Sequence, residues 1–138
     1  MSQKLSKIVY SHTESDIKIT VSPEYNPEAS SPFNLEYVWN YHIIIENLSV
    51  HKIQLLSRFW NIIDKDGCIK EIEGEGVVGL KPVIDPKNKF DYNSYTLLHT
   101  PSGIMAGEYE ILDLSNNKLF YLTIPTFSLD IPNETHLN

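Results

Sequence analysis

Tyr37-Val38-Trp39-Asn40-Tyr41-His42-Ile43-Ile44-Ile45-Glu46 decides the fold. Tyr37, Trp39, Tyr41, Ile43 and Ile45 share one parity; Val38, Asn40, His42, Ile44 and Glu46 take the other. Successive side chains of a strand point to opposite sides, so a period of two reads as a strand with one face on a core. Upstream, Ile17, Ile19 and Val21 alternate with Asp16, Lys18 and Thr20 in the same way, and Ser22 to Asn34, with three prolines, reads as a long loop. Downstream, Asn47-Leu48-Ser49 turns the chain into Ile53–Asp64, which is apolar on both parities. Either that strand is buried on both faces or a bulge near Ser57 switches its parity.

Further strands are expected at Cys68–Glu73, Phe90–Leu98, from Gly103 through Ile111, and at Leu119–Ile124. Asp66-Gly67 and Asn116-Asn117 supply the residues that tight hairpin turns require. No window of twelve residues carries helical spacing with caps. About eight strands with turn chemistry between them predict an all-β fold, a two-sheet antiparallel β-sandwich, with a short antiparallel barrel as the competing architecture. Composition agrees: Val, Ile, Thr, Tyr, Phe and Trp make up 45 of 138 residues, while Ala occurs twice. Such a chain suits pleated, half-buried surfaces and works against helices.

The length allows one domain with one core. Residues 1–15, polar and aperiodic, are expected to be a mobile arm, 16–132 the sandwich and 133–138 a polar tail. Eleven Lys and Arg against eighteen Asp and Glu give −7, which disfavours nucleic acid as a partner because phosphates need a basic face. The lone Cys68 permits no internal disulfide and no thiolate zinc cluster, and suits a reducing compartment. No apolar leader opens the chain, and no apolar run approaches the roughly 18 residues that span a bilayer. A cytoplasmic protein without membrane contact is expected.

Gly74-Glu75-Gly76-Val77-Val78-Gly79 formally fits the spacing of a dinucleotide-binding turn. That chemistry needs a helix after the turn to supply anion-binding amides, and Leu80-Lys81-Pro82-Val83 cannot start one. The segment therefore reads first as a corner needing positive φ, and second as a nest of amides able to hold an anion. Arg58, the only arginine, stands within an apolar strand between Leu56 and Trp60. It could clamp a phosphate or carboxylate bidentately, but an internal pair with Asp64 or Glu75 is the expected arrangement. Gly74, Gly76, Gly79 and Arg58 are thus the candidate anion site. The five histidines show no ligand spacing, so neither metal nor cofactor is expected, and no local nucleophile–base arrangement suggests an enzyme.

Several segments together resemble one family. Leu55-Leu56-Ser57-Arg58-Phe59-Trp60, the Asp64–Gly67 turn, the Gly74–Gly79 segment, Phe90-Asp91-Tyr92-Asn93-Ser94, Thr100-Pro101-Ser102-Gly103-Ile104-Met105-Ala106-Gly107 with Tyr109, and Ile124-Pro125-Thr126-Phe127-Ser128-Leu129 are similar, in order, to the bacterial ApaG (CorD) family. Phe59 departs from it, standing where the family is expected to have histidine. The resemblance implies a fibronectin type III-like or immunoglobulin-like sandwich, associated with cobalt and magnesium resistance. It also implies gene neighbours that include a diadenosine tetraphosphate hydrolase and an rRNA dimethyltransferase. The same domain resembles the C-terminal module of certain F-box proteins and of a polymerase delta-interacting protein, where the resemblance implies a role in protein–protein contacts.

Two functions from different classes follow. One is a non-enzymatic module that presents a sheet face to a protein partner, with Val38, Asn40, His42 and Ile44 as the candidate surface. The other is a binder of pyrophosphate, a nucleotide or another phosphate-containing small molecule at the glycine segment. In either case Trp39, Tyr41, Ile43, Trp60, Met105, Tyr109 and Ile124 are expected to be buried.

Overall fold

Alternation becomes pleat in the computed structural model, which describes residues 8–132. The strands are β1 (Tyr10–Glu14), β2 (Ile17–Tyr25), β3 (Tyr37–Asn47), β4 (Ile53–Asp64), β5 (Ile69–Glu75), β6 (Val83–Ile84), β7 (Lys89–Leu98), β8 (Gly103–Asp113) and β9 (Lys118–Leu129). All pair antiparallel: β1-β2-β3-β7 form one sheet and β5-β4-β8-β9 the other, with the short β6 also on β4. One 3-10 turn, Pro32–Asn34, is the only helical element among the described residues. The expected antiparallel sandwich is therefore the fold.

The inward parity of every long strand meets in one core. Trp39, Tyr41, Ile43, Trp60, Met105, Tyr109 and Ile124 are all buried in it, as expected from strand parity and, for Trp60, from the family resemblance. At its centre the rings of Tyr41, Trp60 and Phe127 lie with centroids 5.7 to 5.9 Å apart, Trp60 edge-on to Phe127 at 89°. Such tilted contacts suit the ring quadrupoles, and burying each large side chain is worth about 1.5–3 kcal/mol. Trp39 keeps its indole N–H satisfied by donating to Asp130 O at 2.9 Å, which ties the chain beyond β9 to the first sheet.

β4 carries the bulge its composition suggested, a register shift between Leu55 and Ser57. Before it Ile53 and Leu55 point inward; after it Arg58, Trp60 and Ile62 share the inward face and Phe59 is turned outward. One extra residue thus places the arginine between the sheets.

Three sequence expectations are corrected. Tyr10–Glu14 is a strand rather than part of a loose arm; residues 1–7 and 133–138, the rest of the arm and the tail, lie outside the described residues. A polar strand is stable there because β1 pairs with β2 and reaches the edge of β9, where Glu14 Oε1 accepts from Thr123 N–H (3.1 Å) and Tyr10 Oη from Ser128 N–H (3.3 Å). β2 runs through Pro23 to Tyr25, beyond the end of its pairing with β1 at Val21, so the missing proline N–H leaves no ladder bond unmade. Val38 is buried, not a surface residue. The 26–36 loop folds back over it, with Asn26 N–H donating to Val38 O and Val38 N–H to Ser30 Oγ, both at 2.8 Å.

Candidate functional site

The glycine segment crosses the flank of β4 at the bulge, between β5 and β6. Gly76 N–H donates to the carbonyl of the bulge residue Leu56 at 2.7 Å. Val77 and Leu80 exchange two backbone bonds of 2.8 Å each, closing a two-residue turn on Val78 (φ +43°) and Gly79 (φ +79°). Two successive positive φ values are the geometry of a type I′ turn, which explains Gly79 at its second position. Gly76 itself has φ +63°, and a Cβ added to it would lie 2.1 Å from Leu80 O. No other residue fits that place.

Arg58 braces the corner from within. Its Nη1 donates to Gly76 O at 2.7 Å and to Glu75 O at 3.3 Å. Its guanidinium occupies the space that a side chain at Gly74 would take, since a Cβ there would sit 3.0 Å from both Nη atoms. The expected carboxylate pair is absent. Glu75 Oε1 instead accepts from Lys81 Nζ at 2.6 Å, which holds its carboxyl below the usual range, and Asp64 Oδ1 accepts from Asp66 and Cys68 N–H within its hairpin turn. Carbonyl oxygens suit the guanidinium because β4 delivers it to the backbone of the corner.

Behind Arg58 lie three tyrosines. Tyr92 Oη and Tyr109 Oη share a hydrogen bond of 2.6 Å in the core. Burial raises the pKa of Tyr41, Tyr92 and Tyr109 above the ordinary phenol value; the positive Arg58 opposes this but does not win. These phenols are neutral packing groups with satisfied hydroxyls.

Gly74, Gly76 and Arg58 are thus brought together, with Gly79 at the turn tip, where an added Cβ would meet nothing within 4 Å. The amides of Gly76 and Val77, however, already donate within the fold, so they are not free for a nest. Of the other candidates, Asn40 is exposed, Ile44 is half-buried and His42 Nε2 lies 2.7 Å from Asp91 Oδ2, all on the outer face of the first sheet. Val38 is not with them.

Two places escaped the sequence reading. At one end of the sandwich His51 Nδ1 meets Asp113 Oδ2 at 2.6 Å beside an open depression of about 400 Å³ lined in part by Ser15, Asp16 and Phe120. Hydrogen bonds from Ser115 and His51 hold Asp113 down at about 2. Among the described residues no hydroxyl is bonded to the His51 imidazole; Ser49 Oγ donates to Asn47 Oδ1 at 2.6 Å and accepts from the backbone N–H of His51 at 3.1 Å, so no nucleophile–base pair forms there.

The second place is the outer face of the five-stranded sheet. By register, Phe59 stands between Glu73 on β5 and Glu108 on β8, with Asn61 between Glu71 and Ala106 and Ser57 between Glu75 and Glu110. The Phe59 and Tyr121 rings are 6.2 Å apart. Ile69, Ile104, Leu119 and Tyr121 on the same face are 45–66% exposed. The sequence signal is the run Glu71, Glu73, Glu75 on the outward parity of β5. Among the described residues no group of three or more His, Cys, Asp or Glu is placed to hold a metal, and no helix is long and apolar enough to cross a membrane.

A two-sheet antiparallel sandwich with an arginine-braced glycine corner on a bulged strand defines the class. Residues 27–113 match the model of the ApaG domain. The chain is 45% identical over 126 residues to Protein ApaG of Paramagnetospirillum magneticum, covering 91% of this chain and 96% of that protein. It is 44% identical over 117 residues to Protein ApaG of Agrobacterium fabrum, covering 85% and 89%. Among solved structures, the putative ApaA protein from Bordetella pertussis superposes with a TM-score of 0.82 at 37% identity, covering 86% of this chain and 95% of that one. The chain belongs to the ApaG-domain family.

Proposed function

We propose that this chain is a non-enzymatic interaction module that docks a protein partner on the outer face of its five-stranded sheet. The observation that carries the reading is the uncovered apolar strip of Ile69, Ile104, Leu119 and Tyr121 around half-buried Phe59 and Ile63. A sheet face in contact with water ordinarily alternates to polar residues; apolar and aromatic side chains collected there mark a contact surface. The outer face of the first sheet is the weaker candidate, since Val38 is covered and His42 is engaged with Asp91. Pyrophosphate or nucleotide binding at the corner finds less support, because Arg58 and two of the loop amides are spent on the corner itself. An exposed free thiol at Cys68 suits action in the cytoplasm, and any part in cobalt and magnesium resistance would be exerted through the partner.

The test is a photo-crosslinking amino acid at position 121 or, on the opposite face, at position 95, with each chain expressed in living cells. A discrete heterologous crosslink from 121, lost with Ile104→Glu, is the expected result. Crosslinks from 95 alone would refute the choice of face.

A further inference from the structure

The acidic residues around Phe59 say what kind of partner the face takes. The outward positions of β5, β4 and β8 carry five carboxylates, Glu71, Glu73, Glu75, Glu108 and Glu110, and no lysine or arginine. Lys81 reaches Glu75 from the loop, and Ser57 Oγ donates to Glu110 at 2.9 Å. Among the described residues no ion pair reaches Glu71, Glu73 or Glu108. The one arginine cannot turn to them, since the bulge has sent it inward. Like charges gathered on an apolar face repel, and their uncompensated field favours a positive counterpart.

Geometry narrows that counterpart. Neighbouring strands lie about 4.8 Å apart, so Glu73 and Glu108 rise on either side of Phe59 at a separation of about 10 Å. The Phe59 ring forms the floor between them and Tyr121, tilted 59° to it, a wall. A planar guanidinium laid on an aromatic face gains cation–π attraction while its N–H groups point sideways to carboxylates. Arginine is also the charged residue that interface centres favour.

Resting on the docking face proposed above, we infer that the partner is a basic protein segment that seats an arginine side chain on Phe59, between Glu73 and Glu108. Phe59 then sets specificity through its ring, Glu73 and Glu108 supply charge, and the isoleucines accept the apolar flanks of the segment.

The experiment titrates the isotope-labelled full chain with a capped alternating Gly–Arg hexapeptide, and separately with its Gly–Gln counterpart, while amide spectra are recorded. The expected result is a saturable response of the Arg peptide centred on Phe59, Glu73, Glu108 and Tyr121, weakened by salt and absent with the Gln peptide. Glu73→Gln with Glu108→Gln is expected to weaken binding about tenfold, and Phe59→Ser several-fold, with the amide spectrum otherwise unchanged. A response spread equally over Glu14, Glu24, Glu46 and Asp91, or none at several millimolar, overturns the inference. So does a position-121 crosslink that survives Glu73→Gln with Glu108→Gln undiminished, although the docking face itself then stands. Loss of the crosslink in the unmodified protein would count instead against the face.

Discussion

Replacing Gly76 by alanine is the most direct trial of the braced corner. Two separate costs apply. Holding a residue with a Cβ at φ +63° disfavours the fold by about 1 kcal/mol. The Cβ would also lie 2.1 Å from Leu80 O, a backbone atom that must move. Moving it breaks the two Val77–Leu80 backbone bonds, each worth about 1 kcal/mol. The total is about 3 kcal/mol, and for a chain of this size a melting temperature falls by about 4 °C per kcal/mol, so a drop of about 12 °C is expected. Gly79→Ala is the internal control: φ is again positive, at +79°, but nothing lies within 4 Å, leaving only the conformational cost and a drop of about 4 °C. Thermal melts followed by near-ultraviolet circular dichroism, with urea titrations to check that the m-value is unchanged, measure both. Equal drops for the two variants would refute the steric argument. A saturable rise in the melting temperature of the unmodified protein with pyrophosphate would show the corner free to bind, and would refute the brace.

Two further outcomes are expected. Tyr92→Phe or Tyr109→Phe alone strands a buried hydroxyl and costs about 1–3 kcal/mol in urea unfolding, while the double variant costs less than the sum of the two; because burial raises both phenols in the fold, their contribution is full below about pH 10 and is lost as pH rises through the folded values, so ultraviolet titration should show them ionising only as the protein unfolds. Asp113→Asn should lower stability at neutral pH; since Ser115 and His51 depress this carboxyl to about 2, its contribution is present above the unfolded value of about 3.9 and lost as pH falls through about 2, and the melting curves of variant and parent should converge there.

The sandwich was legible because β3, β2, β8 and the first half of β9 keep strict inward alternation, and even the bulge of β4 left a trace in its doubled parity; β9 switches its inward parity between Ile124 and Phe127. β1 was not, for a physical reason. Its hairpin with β2 turns on Ser15 (φ +53°) and Asp16 (φ +59°), a primed turn built without the Asn-Gly or Asp-Gly pair that announces one. Val38 was misread because parity reports which side of a sheet a residue takes, not whether a loop later covers that side. The glycine corner was recognised as a corner, yet the partners of Arg58 could not be, because carbonyl acceptors leave no mark in side-chain identity. The acidic face needed the register of three strands separated by some fifty residues to bring Glu73, Phe59 and Glu108 into one row.

The contact of β1 with the margin of β9 has a temporal consequence. A ribosome delivers Tyr10 and Glu14 ahead of the other strands, but the amides they satisfy, Ser128 and Thr123, emerge only with β9, the last strand of the sandwich. The β1–β2 hairpin can close early, because its turn is local; its second task has to wait for β9. Until then the nascent molecule carries an unsealed seam, and any chain shortened at its front would keep that seam open for life, with the flank of β9 offered to the nearest extended strand.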